Sequence, residues 1–486
     1  MAMLNTLLKV IDDEKLKMDK DMIRLAFDFA DEAHQGQLRK SGEPYVVHPL
    51  ETAITLAKLH LDQETIIAGL LHDVPEETSV TLSDIEKNFG QNAAQLVEGI
   101  TKLGKLKYRG IERYIENLRK MFVAMAADIR VIFIKFADRL HNLRTLDALE
   151  EPKRERIARE TLEIYAPIAN RLGVWQLKGE LEDLSFKHLY PKEFEDLKKR
   201  LDANFSERRD MLSSMKHEIT KAMKKENIPI VEISGRTKDL WSLYKKLQIR
   251  NNELERIYDI VALRIVVPTV ADCYKTLGVI HNKWLPMPNR LKDYIAQPKP
   301  NGYQSLHTTI FCAKGKTVEI QIRTPEMHRT SEIGIAAHWH YDEKGSIKFD
   351  KKLEWVQELT RWQQELRDHK TFLDSLKIDV FQDRIFVFTP KGDVIDLPEN
   401  STSIDFAYHI HTKIGDMAAG ARINNQIASL DTALKSGDMV EIITDKNRKG
   451  PSLDWLKFVK TRAARDKIKA NAPRGIWQTI KGLRKK

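Results

Sequence analysis

His48, the adjacent pair His72-Asp73, and Asp138 are the residues of this chain best suited to hold a divalent metal ion. Two imidazoles and two carboxylates fit a borderline ion such as Mn, Fe or Zn, with positions left over for water and phosphate. An ion held this way polarises a phosphoryl oxygen and lowers the pKa of bound water, so phosphohydrolysis is the natural chemistry. Glu76 and Glu77 lie one turn beyond the pair and are placed to orient that water. A single His or Asp near an apolar helix is more often just hydrogen-bonded. The signal is the adjacent His-Asp pair with a distant His upstream and a distant Asp downstream.

A second set of residues points to handling of a polyphosphate. Gly235-Arg236-Thr237-Lys238 precedes Trp241, Tyr244, Lys245 and Lys246, which puts cations beside a glycine turn. Asp259 heads the apolar stretch Ile260–Val267, and Arg290, Lys292 and Lys299 lead up to the loop Asn301-Gly302-Tyr303-Gln304-Ser305-Leu306-His307. In Glu319-Ile320-Gln321-Ile322-Arg323, alternation puts Glu319, Gln321 and Arg323 on one sheet face, and they are expected to face outward into a cleft. Asp259 and Glu319 on neighbouring strands suit Mg²⁺ shared with triphosphate oxygens. The surrounding Arg and Lys would take up charge on a transferred phosphoryl or pyrophosphoryl group. Tyr303 offers a flat face to a purine. No Gly-x-x-x-x-Gly-Lys-Ser/Thr run occurs, so the site is not a P-loop.

The elements that must position these groups follow from periodicity. Residues 1 to about 195 repeat apolar side chains at three- and four-residue spacing, as in Asp21–His34, Glu64–His72 and Arg154–Leu172, and read as almost wholly helical. His72-Asp73 ends one buried apolar helix, and Asp138 follows the apolar run Val131–Phe136. Residues 196–226 continue as a charged helical connector. From Ile228 the period changes, and Ile228–Ile233, Ile260–Val267 and Thr317–Ile322 read as strands with helices between them. Ile385–Phe388, the turn Pro390-Lys391-Gly392-Asp393 and Val394–Leu397 open a small third domain as a hairpin.

Composition limits the partners. The chain has 486 residues and a net charge of +10, with 42% hydrophobic residues and two cysteines, Cys273 and Cys312. Three or four domains are expected from that length, with no disulfide framework and no thiolate zinc site. No stretch is apolar enough to span a bilayer and no secretory leader is legible, so a cytoplasmic protein is expected. The basic excess is local: residues 446–486 hold fourteen Lys/Arg against Asp454 and Asp466, a net of +12, while the rest is near neutral. Such a block reads as a surface for a polyanion, with nucleic acid the favoured partner, or as a solvated helical face.

The residues together resemble the long RelA/SpoT-type enzymes, which make and destroy the alarmone (p)ppGpp. The likeness runs through Arg39-Lys40-Ser41-Gly42-Glu43-Pro44-Tyr45 with His48, the His72-Asp73 pair of the HD superfamily, and Ala137-Asp138-Arg139-Leu140-His141-Asn142. It continues through Tyr258-Asp259, Asn301–His307, Glu319–Arg323 and Asp405-Phe406-Ala407-Tyr408-His409-Ile410-His411. It implies a multidomain fold of α and α+β classes. An all-α HD-type hydrolase is expected over 1–195 and a helical connector over 196–230. A mixed α/β, nucleotidyltransferase-like synthetase follows over 231–345, then a helical linker over 346–383. A β-grasp TGS domain over 384–445 and a basic helical tail over 446–486 complete the chain.

Carried over by position, His48, His72, Asp73 and Asp138 resemble Mn²⁺ ligands, and Glu76 and Glu77 the water-activating acids. Arg39, Lys40, Ser41 and Asn142 would contact nucleotide there. Asp259 and Glu319 resemble Mg²⁺-linked acids, with Glu319 also the base for a ribose 3′-hydroxyl. Tyr303 would stack on guanine. Arg236, Lys238, Lys245, Arg290, Lys292, Lys299, Asn301, Gln304, His307, Gln321 and Arg323 complete the nucleotide-facing set. ATP, GDP or GTP, and (p)ppGpp are the implied substrates, and His409 and His411 resemble residues that approach tRNA on the ribosome.

Hydrolase-active relatives usually carry Glu-Asp where this chain has Glu76-Glu77, after Pro75. The added methylene moves a carboxylate, and a misplacement of about 1 Å can cost roughly 100-fold in rate. The run Arg290-Leu291-Lys292-Asp293 resembles the basic version found in bifunctional members. A bifunctional enzyme is therefore the leading expectation. The alternatives are a synthetase with a degenerate hydrolase and a ribosome- or tRNA-binding sensor.

Overall fold

A computed structural model describes residues 2–104, 110–203, 205–254, 257, 260–299, 301–312, 316–334, 336, 384–448 and 450–472. The chain divides into two compact units, Met1–Glu365 and Leu366–Lys486. Asp259, the expected linker 346–383 and the last part of the basic tail, 473–486, lie outside the described residues.

The first unit opens with helices α1 (Ala2–Asp13), α2 (Lys20–Ala33), α3 (Val47–Lys58), α4 (Gln63–Leu71), α5 (Val74–Glu77), α6 (Leu82–Gly104), α7 (Gly110–Ala127) and α8 (Arg130–Arg144). Three of them build the first site. The Asp62 carboxylate accepts from the Thr65 backbone N–H and starts α4, which is buried along its whole length from Thr65 to Leu71. Its Gly69 lets α3 come close, because a Cβ there would lie 2.5 Å from Leu56. Helix α8 buries Val131–Ile134, Phe136 and Ala137. Each fully buried Ile or Leu of this kind contributes about 1.5–3 kcal/mol. The apolar packing of α3, α4 and α8 thus brings together polar groups that are far apart in sequence.

Helices α9 (Glu151–Glu160), α10 (Ala166–Arg171), α11 (Trp175–Leu189), α12 (Pro191–Asp202) and α13 (Phe205–Lys225) lead to a five-stranded sheet. Its strands are β1 (Glu232–Thr237), β2 (Val261–Val266), β3 (Lys292–Asp293), β4 (Leu306–Phe311) and β5 (Thr317–Arg323), ordered β1-β2-β5-β4-β3. Only β2 and β5 run parallel; the other pairs are antiparallel. Helix α14 (Leu240–Ile249) follows β1, α15 (Val270–Lys283) follows β2, and α16 (Pro325–Ile333) follows β5. One sheet face packs Leu263, Ile265, Ile310, Val318, Ile320 and Ile322 against Met215, Ile219 and Met223 of α13 and Cys273 and Ile280 of α15. The opposite face carries the polar alternates.

Two expectations need correcting here. The strand expected from Ile228 begins only at Glu232: Pro229 has no N–H to give a ladder, and Ile228 is buried in the core beneath the sheet. Arg323 and Gln321 also do not face outward. Arg323 is fully buried and Gln321 is 9% exposed. Helix α16 and the turn between α10 and α11 cover this end of β5. The turn packs so closely that a Cβ at Gly334 would lie 2.3 Å from the Leu172 carbonyl oxygen, and φ of +60° there also favours glycine.

In the second unit, β6 (Arg384–Phe388) and β7 (Val394–Pro398) form the expected hairpin. Helices α17 (Ser403–Ile410) and α18 (Thr412–Asp416) follow. Strands β8 (Ala418–Ile423), β9 (Gln426–Ala428) and β10 (Val440–Thr444) then make a sheet ordered β10-β8-β9. A parallel bridge between Phe388 and Met439 links the hairpin to β10. Packing runs past the boundary expected at 445. Trp455, Val459, and Ala464 and Ile468 of α19 (Arg462–Asn471) share a core with Ile404, Tyr408 and Ala418.

Asp405 clasps that segment. Its buried carboxylate accepts from the N–H and hydroxyl of Thr402, the N–H of Lys460, and the N–H and hydroxyl of Thr461. Replacing Asp405 with Ala leaves several buried donors without an acceptor, at about 1–3 kcal/mol each. The expected result is a lower unfolding midpoint for this unit and early protease cleavage within 450–472. Unchanged protection of that segment would argue against the clasp.

Among the described residues, no helix is long and apolar enough to cross a membrane.

Candidate functional site

His48 sits in the first turn of α3, His72 and Asp73 follow α4, and Asp138 lies within α8. His48, His72 and Asp138 are all buried, and each offers a ligand atom within 4.8 Å of the others. Asp73 completes the group: Oδ2 is 3.5 Å from His48 Nε2 and Oδ1 is 3.3 Å from His72 Nε2. His48 Nε2 is 3.3 Å from Asp138 Oδ1.

The hydrogen bonds around these residues aim their lone pairs at one another. His72 Nδ1 donates to the Gly69 carbonyl at 2.8 Å, leaving an acceptor at Nε2, which is buried and makes no hydrogen bond. Burial holds His48 below its usual pKa, so its ring is neutral. Burial by itself would raise the Asp138 carboxyl, but Lys135 and the two imidazoles outweigh it and keep the group ionised, well below the usual range. Imidazole nitrogens and carboxylate oxygens converge, and the Asp73 and Asp138 carboxylates repel each other. A cation relieves that repulsion, so the residues fit a divalent metal.

Further side chains hold this cluster in place. Lys135 Nζ donates to Asp138 Oδ2 at 2.7 Å, and Asn142 Nδ2 donates to Asp138 Oδ1. The Tyr45 hydroxyl donates to Asp73 Oδ2 at 3.0 Å; burial and then Asp73 push its pKa well above the ordinary value, so it stays protonated. Arg39 reaches His141 and Asn142. Glu76 and Glu77 are exposed on α5, while Lys40 and Ser41 are exposed in the loop between α2 and α3, where the Ser41 hydroxyl donates to Glu43. Sequence reasoning missed Tyr45, Lys135 and His141. Their signal was spacing, since Lys135 and His141 each lie three residues from Asp138 on the same helix.

On the sheet, Glu319 of β5 stands beside Ala262 of β2 and Thr309 of β4, with Gln321 beside Arg264 and His307. Gln321 Nε2 donates to Glu319 Oε1 at 2.8 Å, and His307 Nδ1 lies 3.0 Å from the same oxygen. His307 Nε2 is 2.7 Å from the Tyr303 hydroxyl. Burial keeps His307 below its usual pKa, so a neutral ring bridges Tyr303 and Glu319. Arg323 donates to Ser331 and Gln321, and so braces the amide that braces Glu319.

Tyr303 is not an open face here. It is 9% exposed, with Trp175 edge-on at 5.9 Å, Lys299 5.3 Å from its ring centre and the Arg323 guanidinium at 5.5 Å. The Asn301 amide donates to the Asn170 carbonyl of α10, and the Gln304 amide to the Ile295 carbonyl.

A cleft of about 470 Å³ runs along the seam between α11 and the sheet, lined by Arg144, Trp175, Gly179, Asp183, Arg236, Arg264 and Glu332 among others. Arg236 of β1 and Arg264 of β2 lie diagonally on the same sheet face, since Ser234 pairs with Arg264 and Arg236 with Ala262. Arg264 was missed by sequence reasoning, although a charge inside Val261-Ala262-Leu263-Arg264-Ile265-Val266 was a readable exception. Asp183 accepts from the Leu240 and Trp241 backbone N–H groups and so fixes the start of α14; burial pushes its carboxyl up to about 6 against those two bonds. Lys245 of the same helix is turned onto Glu182 at 3.5 Å and the Trp241 ring. The Lys238 backbone N–H pairs with Ile260, Lys292 pairs with His307 in the ladder, and Arg290 lies exposed just before it. In the second unit His409 and His411 are exposed, and His411 Nδ1 accepts from the Lys413 N–H at the start of α18.

Three family models match the chain: an HD domain over residues 26–175, a region found in RelA/SpoT proteins over 235–346, and a TGS domain over 385–444. A Myxococcus xanthus protein named GTP pyrophosphokinase is 48% identical over 457 residues, covering 93% of this chain and 60% of that protein. The Escherichia coli K12 protein named bifunctional (p)ppGpp synthase/hydrolase SpoT is 46% identical over 451 residues, covering 92% of this chain and 64% of its own length. This chain therefore spans less than two thirds of either relative. A small alarmone synthetase structure from Bacillus subtilis, bound to pppGpp, matches 35% of this chain and 97% of its own. Its identity is 25% and its TM-score 0.25, too low to support a fold argument. With the HD domain, the RelA/SpoT region and the TGS domain in that order, the chain is a homologue of the long RelA/SpoT proteins.

Proposed function

We propose that the chain is a bifunctional alarmone enzyme acting in the cytoplasm. One site hydrolyses (p)ppGpp to GDP or GTP and pyrophosphate with Mn²⁺. The other transfers the β,γ-pyrophosphate of ATP to the 3′-hydroxyl of GDP or GTP with Mg²⁺, releasing AMP. The observation that carries this reading is the presence of two different constellations in one unit: the His/Asp cluster on α3, α4 and α8, and the Glu319 network on β5.

In the hydrolase, His48, His72, Asp73 and Asp138 would hold the metal. A divalent ion there would supply Lewis acidity toward the 3′-phosphate and ease deprotonation of water. Glu76 and Glu77, on the exposed turn, would take the water's proton, and Arg39, Lys40, Ser41 and Asn142 would hold the nucleotide. In the synthetase, Glu319 would accept the 3′-hydroxyl proton as the oxygen attacks the β-phosphorus of ATP. Its Oε1 is already pinned by Gln321 and His307, which fixes the plane of the carboxylate. Arg236 and Arg264, with Lys238, would stabilise the charge shed onto AMP and the moving pyrophosphate. Asp259 would share Mg²⁺ with Glu319. Arg323 would act through Gln321 rather than on phosphate. The basic segment, with His409 and His411, would face ribosomal RNA or tRNA.

Two assays on one purified protein test the reading. ATP and GDP should yield ppGpp and AMP in equal amounts, and ppGpp with Mn²⁺ should yield GDP and pyrophosphate, stopped by EDTA. Synthesis without metal-dependent hydrolysis would instead identify a synthetase carrying a silent helical domain, with the longer acid at Glu77 the first suspect.

A further inference from the structure

The hydrogen bonds of Arg39 converge on two of the metal-candidate side chains by two routes. Arg39 Nη1 lies 3.1 Å from His141 Nδ1, which lies 2.8 Å from His48 Nδ1. Arg39 Nη2 donates to Asn142 Oδ1 at 2.6 Å, and Asn142 Nδ2 donates in turn to Asp138 Oδ1.

A guanidinium has donors only, so His141 Nδ1 must be an acceptor. The proton between the two rings therefore sits on His48 Nδ1. That tautomer puts the His48 lone pair on Nε2, the atom 3.3 Å from Asp138 Oδ1. Along the other route, Arg39 holds the Asn142 oxygen toward itself, which commits the amide nitrogen to Asp138. Flipping that amide would set donor against donor and acceptor against acceptor.

We propose that Arg39, acting through His141 and Asn142, is a positioning residue of the metal site that presets the ligand atoms of His48 and Asp138 before nucleotide arrives. The proposal rests on the metal-dependent hydrolase reading and assigns Arg39 a role besides contact with nucleotide. Residues that orient metal ligands from behind typically change metal affinity by about 10–100-fold when removed.

The test is Mn²⁺ binding without any nucleotide, followed through the electron paramagnetic resonance signal of the free ion. Arg39→Ala and His141→Leu should each weaken Mn²⁺ binding by about 10-fold or more. His141→Asn should restore it, because its side-chain oxygen can accept from both His48 and Arg39. Circular dichroism checks that each variant is folded, and Arg39, itself half-buried in a mostly exposed loop, decides the matter if His141→Leu does not fold. Wild-type Mn²⁺ affinity in Arg39→Ala would overturn the proposal and leave Arg39 as a nucleotide contact that moves only KM. A wild-type chain that binds no Mn²⁺ would overturn the metal reading itself, which is a different result.

Discussion

His72→Ala should abolish (p)ppGpp hydrolysis while pyrophosphate transfer from ATP continues near the wild-type rate. The bond from His72 Nδ1 to the Gly69 carbonyl fixes the ring, and Nε2, buried and without a hydrogen bond among the described residues, lies 3.3 Å from Asp73 Oδ1, where it can serve as a metal ligand. Removing it takes one of two imidazole donors from a site otherwise made of carboxylates, which shifts preference toward harder, more weakly polarising ions. A loss of at least about 1,000-fold is expected, on the order of 4 kcal/mol of transition-state stabilisation. The measurement is pyrophosphate release from ppGpp with Mn²⁺, alongside AMP formation from ATP and GDP on the same preparation. The second assay guards against misfolding, because α4 lies in the helical part and Glu319 on the sheet. Hydrolysis surviving at more than a tenth of wild type would remove His72 from the reaction.

How much of this was legible in the sequence varies with the physical origin of each feature. The His/Asp cluster was legible because its residue types are chemically unusual at the ends of apolar helices: His72-Asp73 stands after a run buried from Thr65 to Leu71. The hairpin at 384–398 was legible because its turn residues and alternation are local. What failed was long-range. Alternation correctly separated Glu319, Gln321 and Arg323 from the isoleucines, yet it could not say that α16 and the turn near Gly173 would cover that face. Arg323 is therefore buried instead of solvated, and Tyr303 is wedged between cations and Trp175. That the basic segment folds or docks is legible from Trp455, Phe458 and Ile468 interleaved among its cations; the surface it docks on, Ile404 and Tyr408, is long-range and was not. His141 escaped because its importance lies in which nitrogen carries a proton, and that depends on Arg39 about one hundred residues away.

Glu319→Gln should reduce synthesis by about 100- to 10,000-fold, the usual contribution of a positioned general base. The substitution nearly preserves shape, so it separates the proton-accepting role from packing. An amide oxygen at the Oε1 position can still accept from Gln321 and His307, so the surrounding bonds have a way to survive. What is lost is negative charge at the strand position facing β2, and with it both the base and one arm of the proposed Mg²⁺ site. These two losses can be told apart. If Glu319 chiefly takes the 3′-hydroxyl proton, ATP and GDP should bind the variant almost as in wild type, and only kcat should collapse. If it chiefly holds Mg²⁺, the requirement for Mg²⁺ should move to higher concentration and added metal should recover part of the rate. Hydrolysis of ppGpp should continue in either case, because Glu319 belongs to the sheet and the His/Asp cluster to α3, α4 and α8. Synthesis within tenfold of wild type at every Mg²⁺ concentration would mean that the bonds between Glu319, Gln321 and His307 brace the sheet and that the base lies elsewhere.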